Sequence, residues 1–237
     1  MATDDRNITG IGVLADPVRR ELYRYVCSQA EPVSRDRAAE VVGVARHQAK
    51  FHLDRLEAEG LLEADYVRLS GRTGPGAGRP AKRYRRSQRE FTVTLPARDY
   101  QLAAQVMAEA ITETGRTALP IADAVTKAAD RYGALLAAGG SPDPPTPSDA
   151  LDLAVTLLAE RGYEPRRTGP KILLVNCPFH ALARQHTELV CGMNHALITA
   201  LSRSTAPELL DVQLDPDRDR CCVTLTLRHE EGPVRAS

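Results

Sequence analysis

Residues 43–62, GVARHQAKFHLDRLEAEGLL, decide the fold. Gly43 reads as a helix stop, because glycine enters the left-handed conformation at no steric cost. A new helix then begins within two or three residues, and Ala49, Leu53 and Leu56 give it an apolar stripe. Arg46, His47, Gln48 and Lys50 fall on its other faces, near its N-terminal end. After Gly60 the chain reads as a strand over residues 61–69.

Working outward, Ser34 caps a helix that carries Ala38, Val41 and Val42 and stops at Gly43. Asp16-Pro17 starts an earlier helix, an N-cap acceptor followed by proline where its missing N–H costs nothing, and Val18, Leu22, Tyr25 and Val26 continue it to about Cys27. Two short helices joined by a tight glycine turn are a helix-turn-helix, whose second helix meets base edges with its N-terminal residues. Arg46, His47, Gln48 and Lys50 are therefore the expected DNA-reading residues. Downstream, the glycine- and proline-rich GRTGPGAGRP of residues 71–80 is a loop, and residues 81–86 return as a partner strand. That hairpin is a wing, with Arg72 and Arg79 at its tip placed for phosphates or a minor groove.

Charge agrees with this division. The chain of 237 residues has a formal net charge of zero, but residues 1–90 hold 17 Lys and Arg against 13 Asp and Glu, leaving the remainder acidic. Residues 66–89 hold eight basic side chains and no acidic one, the footprint of a polyanion binder.

Residues 43–62, with His52-Leu53, Leu56 and Gly60-Leu61 in register, followed by Gly78-Arg79-Pro80-Ala81-Lys82-Arg83-Tyr84, resemble the winged helix-turn-helix of ArsR-type bacterial regulators. The resemblance covers about residues 10–90 and implies binding to double-stranded DNA. Ala45 departs from the Ser or Thr cap of many relatives. His52, beside the apolar stripe, reads as a packing residue.

The hydrophobic fraction of 43% suffices for packed cores, and no run approaches a membrane span. The N-terminal MATDDRNITG lacks a basic stretch followed by an apolar run, so a cytoplasmic location is expected. Five cysteines there point to metal or redox chemistry rather than structural disulfides. Residues 96–114 and 119–138 carry amphipathic helical patterns suited to pairing across a two-fold axis or to packing on the rest of the chain. Residues 139–147, GGSPDPPTP, form a linker, and Ser148 is expected to cap a helix to about residue 162.

Cys177, Cys191, Cys221 and Cys222 occupy the last third, at the boundaries of an expected strand (171–176), helices (179–203) and a hairpin (209–214 with 222–227). Thirteen residues separate Cys177 from Cys191 and twenty-nine separate Cys191 from Cys221, with no Cys-x-x-Cys, so the spacing matches neither a zinc ribbon nor a ferredoxin. Alternation along a strand would let only one of Cys221 and Cys222 reach a shared centre. Cys177-Pro178-Phe179-His180 adds an imidazole separated from a thiol by only two residues, and His186 and His195 flank Cys191. These donors suit zinc, and the thiols alone suit a disulfide-based redox sensor. No oxyanion hole or phosphate loop accompanies them, so catalysis is not expected.

Asn176-Cys177-Pro178-Phe179-His180, then Val190-Cys191, then Cys221-Cys222-Val223-Thr224, resemble the sensing region of SufR-type repressors, winged-helix proteins that hold an iron-sulfur cluster. The resemblance implies a homodimer on an inverted-repeat operator and a 4Fe–4S cluster on Cys177, Cys191 and Cys222, with zinc as the alternative occupant. The first gap is one residue longer than in that family and the last cysteine is doubled, which leaves Cys221 and His180 as candidates for a further donor. The expected fold is α+β: a winged helix-turn-helix at 10–90, a helical dimerisation linker at 96–140 and a mixed α/β sensing domain at 148–230.

Overall fold

The computed structural model describes residues 2–67, 80–137, 146–217 and 219–228. The chain forms two compact units, residues 1–93 and 94–237.

The first unit runs α1 (Ala2–Gly12), a single 3-10 turn (Val13–Ala15), α2 (Pro17–Cys27), β1 (Val33–Ser34), α3 (Arg35–Val42), α4 (Arg46–Ala58), β2 (Leu62–Val67) and β3 (Ala81–Arg86). The Asp16 carboxylate accepts from Arg19 N at 2.8 Å, and the Ser34 hydroxyl from Arg37 N at 3.2 Å, so both expected caps form. Gly43 ends α3 at φ +72°. Ala45 supplies no side-chain acceptor to α4, and Gln48 reaches back to its N–H at 3.3 Å, giving half of a capping box. The strands form one antiparallel sheet ordered β1-β3-β2, with Ala64 opposite Tyr84. Leu22, Val26, Ala38, Ala49, Leu53, Leu56 and Tyr84 are the centre of the core. The wing tip of the sequence reading, with Arg72 and Arg79, lies outside the described residues.

The second unit runs α5 (Tyr100–Thr117), α6 (Ile121–Ala137), α7 (Pro147–Glu160), β4 (Pro165–Thr168), β5 (Lys171–Leu174), α8 (His180–Gln185), α9 (Thr187–Thr205), β6 (Leu210–Leu214) and β7 (Val223–Leu227). Its four strands are antiparallel in the order β4-β5-β7-β6. The buried faces of α5 and α6 (Leu102, Val106, Val125, Ala128) share one core with α7, α9 and the sheet. Gly133 lets α6 approach α9 closely: a Cβ there would collide with the Leu197 carbonyl oxygen and stand 2.9 Å from Ala200 Cβ. The cap of α7 is Thr146 rather than Ser148. Its hydroxyl accepts from Asp149 N at 3.2 Å with Pro147 in the first turn, a stronger start than the expected one.

Candidate metal centre and nucleic-acid interface

In the first unit the start of α4 presents its polar side chains outward. Arg46, His47, Gln48 and Lys50 are all exposed, while Ala49, Leu53 and Leu56 are fully buried. Arg46, His47 and Lys50 line a shallow concavity of about 420 Å³ together with Arg35, in the first turn of α3. Arg35 was not singled out in the sequence, where its only signal was a basic residue directly after the Ser34 cap. Arg46 forms an ion pair with Asp36, and Lys50 lies 3.4 Å from Asp54. Gln48 is engaged at the helix start, so its amide serves α4 itself. His52 accepts from Arg19 Nε at 3.3 Å, in keeping with a packing role.

A partly buried polar node fastens α4 to the hairpin. Asp54 Oδ1 accepts from the Tyr84 hydroxyl at 2.6 Å and from Lys82 Nζ at 2.9 Å, and Lys82 also pairs with Glu57. Burial raises the Tyr84 hydroxyl pKa, and the Asp54 bond adds to it.

Residues 14–64 match the family model described as a helix-turn-helix domain. The first unit carries a helix-turn-helix. Such domains belong to DNA-binding transcriptional regulators, which are typically not enzymes. No curated protein and no solved structure matches the chain. Among the described residues, no helix is long and apolar enough to cross a membrane.

In the second unit, Cys177, Cys191, Cys221 and Cys222 all line one cavity of about 470 Å³, with His180, Arg184, Asp217 and Arg220. Cys177 follows β5 in a turn closed by His180 N to Cys177 O at 3.1 Å, which brings the exposed His180 to the rim. Cys191 is half-buried near the start of α9. Cys221 and Cys222 precede β7, with a bend at Cys222. Strand alternation therefore does not apply to them, and both thiols reach the same cavity. Cys221 is anchored by its backbone N–H to Leu174 O at 2.9 Å. His186 and His195 are not among the lining residues; His195 Nε2 instead bonds Val212 O at 3.0 Å.

The four thiols shift one another's acidity. Cys177 and Cys222 hold the Cys221 pKa well below the usual thiol range. Cys191 is lowered by Cys222, while Cys177 is pushed up by Cys221 and by burial, and Cys222 by Cys191, Cys221 and burial. Arg184 and Arg220 line the same cavity. Arg220 is itself engaged by Asp215 at 2.8 Å and Asp217 at 3.3 Å, and donates to Cys221 O at 3.1 Å, so it braces the turn that delivers the vicinal cysteines. Among the described residues, no group of three or more His, Cys, Asp or Glu stands ready around a single ion. Four convergent thiols are nevertheless the donor chemistry that soft metals and iron-sulfur clusters take.

Proposed function

We propose that the protein is a transcriptional regulator that binds an inverted-repeat operator as a homodimer and whose DNA binding is governed by a thiolate-ligated iron-sulfur cluster. Arg46, His47 and Lys50 read or grip the duplex from α4, with Arg35 alongside and the Arg72 and Arg79 wing on the flanking backbone. The observation that carries the cluster reading is the convergence of four cysteines from three distant segments on one cavity. Cys177, Cys191 and Cys222 would hold the group with a further donor from Cys221 or His180. When bound, the cluster supplies a redox-sensitive link among these segments. The chain's own part is to hold the end of β5, the start of α9 and the β6–β7 turn together, and loss of the link would free them from one another.

Anaerobic purification tests this. A brown protein containing iron and acid-labile sulfide is expected, and Cys177→Ser should abolish both. A colourless protein with one equivalent of zinc would overturn the cluster and leave DNA binding standing. A second reading is supported by the same convergence: four free thiols lining one cavity suit disulfide formation under an oxidant such as a peroxide. Mass spectrometry of protein oxidised without metal would show a loss of four hydrogen atoms, their electrons passed to the peroxide, if that is the sensor.

A further inference from the structure

Asn194 is out of place by ordinary packing rules. It lies in the middle of α9 among Val190, Met193, Leu197, Ile198 and Leu201, all buried, and is itself only 1% exposed. A leucine would suit that position, because a buried amide without partners loses its hydration with nothing in return. The amide has two partners. The Tyr163 hydroxyl, on a side chain 2% exposed, donates to Asn194 Oδ1 at 2.6 Å, and Asn194 Nδ2 donates to Cys221 Sγ at 3.2 Å. Among the described residues the Tyr163 hydroxyl makes no other side-chain bond, so the chain Tyr163–Asn194–Cys221 ends on sulfur.

Direction follows from the amide's two ends, an oxygen toward the tyrosine hydroxyl and an N–H toward the sulfur. With its oxygen held by Tyr163, the amide turns its N–H toward Cys221. The other three sulfurs have no side-chain amide aimed at them among the described residues.

Resting on the thiolate-centre reading above, we infer that Tyr163 and Asn194 are positioning residues that orient Cys221 as a metal-bonding sulfur, which makes Cys221 a donor alongside Cys177, Cys191 and Cys222. The hydrogen bond from the Asn194 amide holds the Cys221 sulfur at the cavity wall before any metal arrives, and it would disperse charge from that sulfur once a metal is bound. Groups that orient metal ligands in this way change metal affinity by about 10–100-fold when removed.

The test uses Co²⁺ as probe, titrated anaerobically into the full-length reduced protein. Wild type should give thiolate-to-cobalt charge-transfer absorption, and Cys221→Ser should lose part of its intensity per bound ion. Tyr163→Phe and Asn194→Leu should lower cobalt affinity by about 10–100-fold while keeping the intensity per bound ion; Asn194→Gln, which retains a donor, should recover part of the affinity. Near-UV circular dichroism and thermal melts confirm that each variant is folded, and Tyr163→Phe, which removes one oxygen, guards against an unfolded Asn194→Leu. Wild-type affinity in both relay variants, full intensity in Cys221→Ser, or no cobalt–thiolate absorption in wild type would each overturn the inference. Iron and sulfide content after anaerobic purification is scored separately: their absence with an intact cobalt response removes the cluster reading alone.

Discussion

Replacing Asp54 by alanine should loosen α4 from the hairpin and cost the first unit about 2 kcal/mol. One carboxylate oxygen receives both the Tyr84 hydroxyl and the Lys82 ammonium, at 2.6 and 2.9 Å. Tyr84 is fully buried, so its hydroxyl would lose its partner away from water, and a hydrogen bond to a charged group contributes roughly 1.5–3 kcal/mol. Lys82 would keep Glu57, and the Asp54 side chain is 36% exposed, so the ion pair adds no more than about 0.5 kcal/mol after screening. A loss of about 2 kcal/mol lowers the melting midpoint of a unit this size by roughly 8–16 °C. The decisive assay is a double-mutant cycle with Tyr84→Phe, read by chemical denaturation, with a coupling of about 1–2 kcal/mol expected. A pH series adds an independent check. Burial pushes the Asp54 carboxyl pKa up, but bonds from Tyr84 and Lys82 outweigh it and the pKa is lowered. Its stabilisation is then complete above the unfolded-state value of about 3.9 and is lost as pH falls through the lower native value. The gap between wild type and Asp54→Ala should narrow in acid, the Tyr84 bond to the neutral carboxyl remaining. Coupling below about 0.3 kcal/mol at neutral pH, or a gap that does not narrow in strong acid, would refute the reasoning.

Three further outcomes are expected. Lys50→Ala should weaken operator binding and reduce the slope of log K against log salt by about 1, as measured by fluorescence anisotropy at several salt concentrations. Asp36→Asn should free the Arg46 guanidinium and tighten non-specific DNA binding, yet change stability by less than about 0.5 kcal/mol because the pair is exposed; unchanged affinity would mean that Arg46 does not reach DNA. Gly133→Ala should destabilise the second unit by about 1–3 kcal/mol or more, since its methyl meets the Leu197 carbonyl, and a thermal melt that matches wild type would show that α6 and α9 are not packed this closely.

The helix-turn-helix was legible because its signals are local. Asp16, Ser34 and Gly43 act on backbone groups within a few residues, and the Ala49, Leu53 and Leu56 stripe needs only helical periodicity. The elements left unread lack such signals. Helix α1, ATDDRNITGIG, contains two glycines and little apolar periodicity; Asn7 holds it by donating to Thr92 O at 3.1 Å and by accepting from Arg89, contacts more than eighty residues away. Strand β4, PRRT, is polar because it is an edge strand, with Pro165 at its first position, where proline is tolerated. The helix at Thr146 was placed two residues late because either hydroxyl satisfies the capping rule, and only the reciprocal Asp149 bond chooses between them.

The thiols divide in the same way. From the sequence alone came the four candidate donors, their lack of a standard spacing, and a basic head preceding them, since these depend on residue type and order. The tertiary structure decided that Cys221 and Cys222 face one cavity together, that His195 turns to β6 instead, and that α5 and α6 share a core with the cysteine-bearing segments. The physical reason is range: caps, turns and periodicity act over one or two helical turns, whereas bringing Cys177 to Cys221 requires β5 and β7 to pair across fifty residues of chain, and no local preference encodes that pairing.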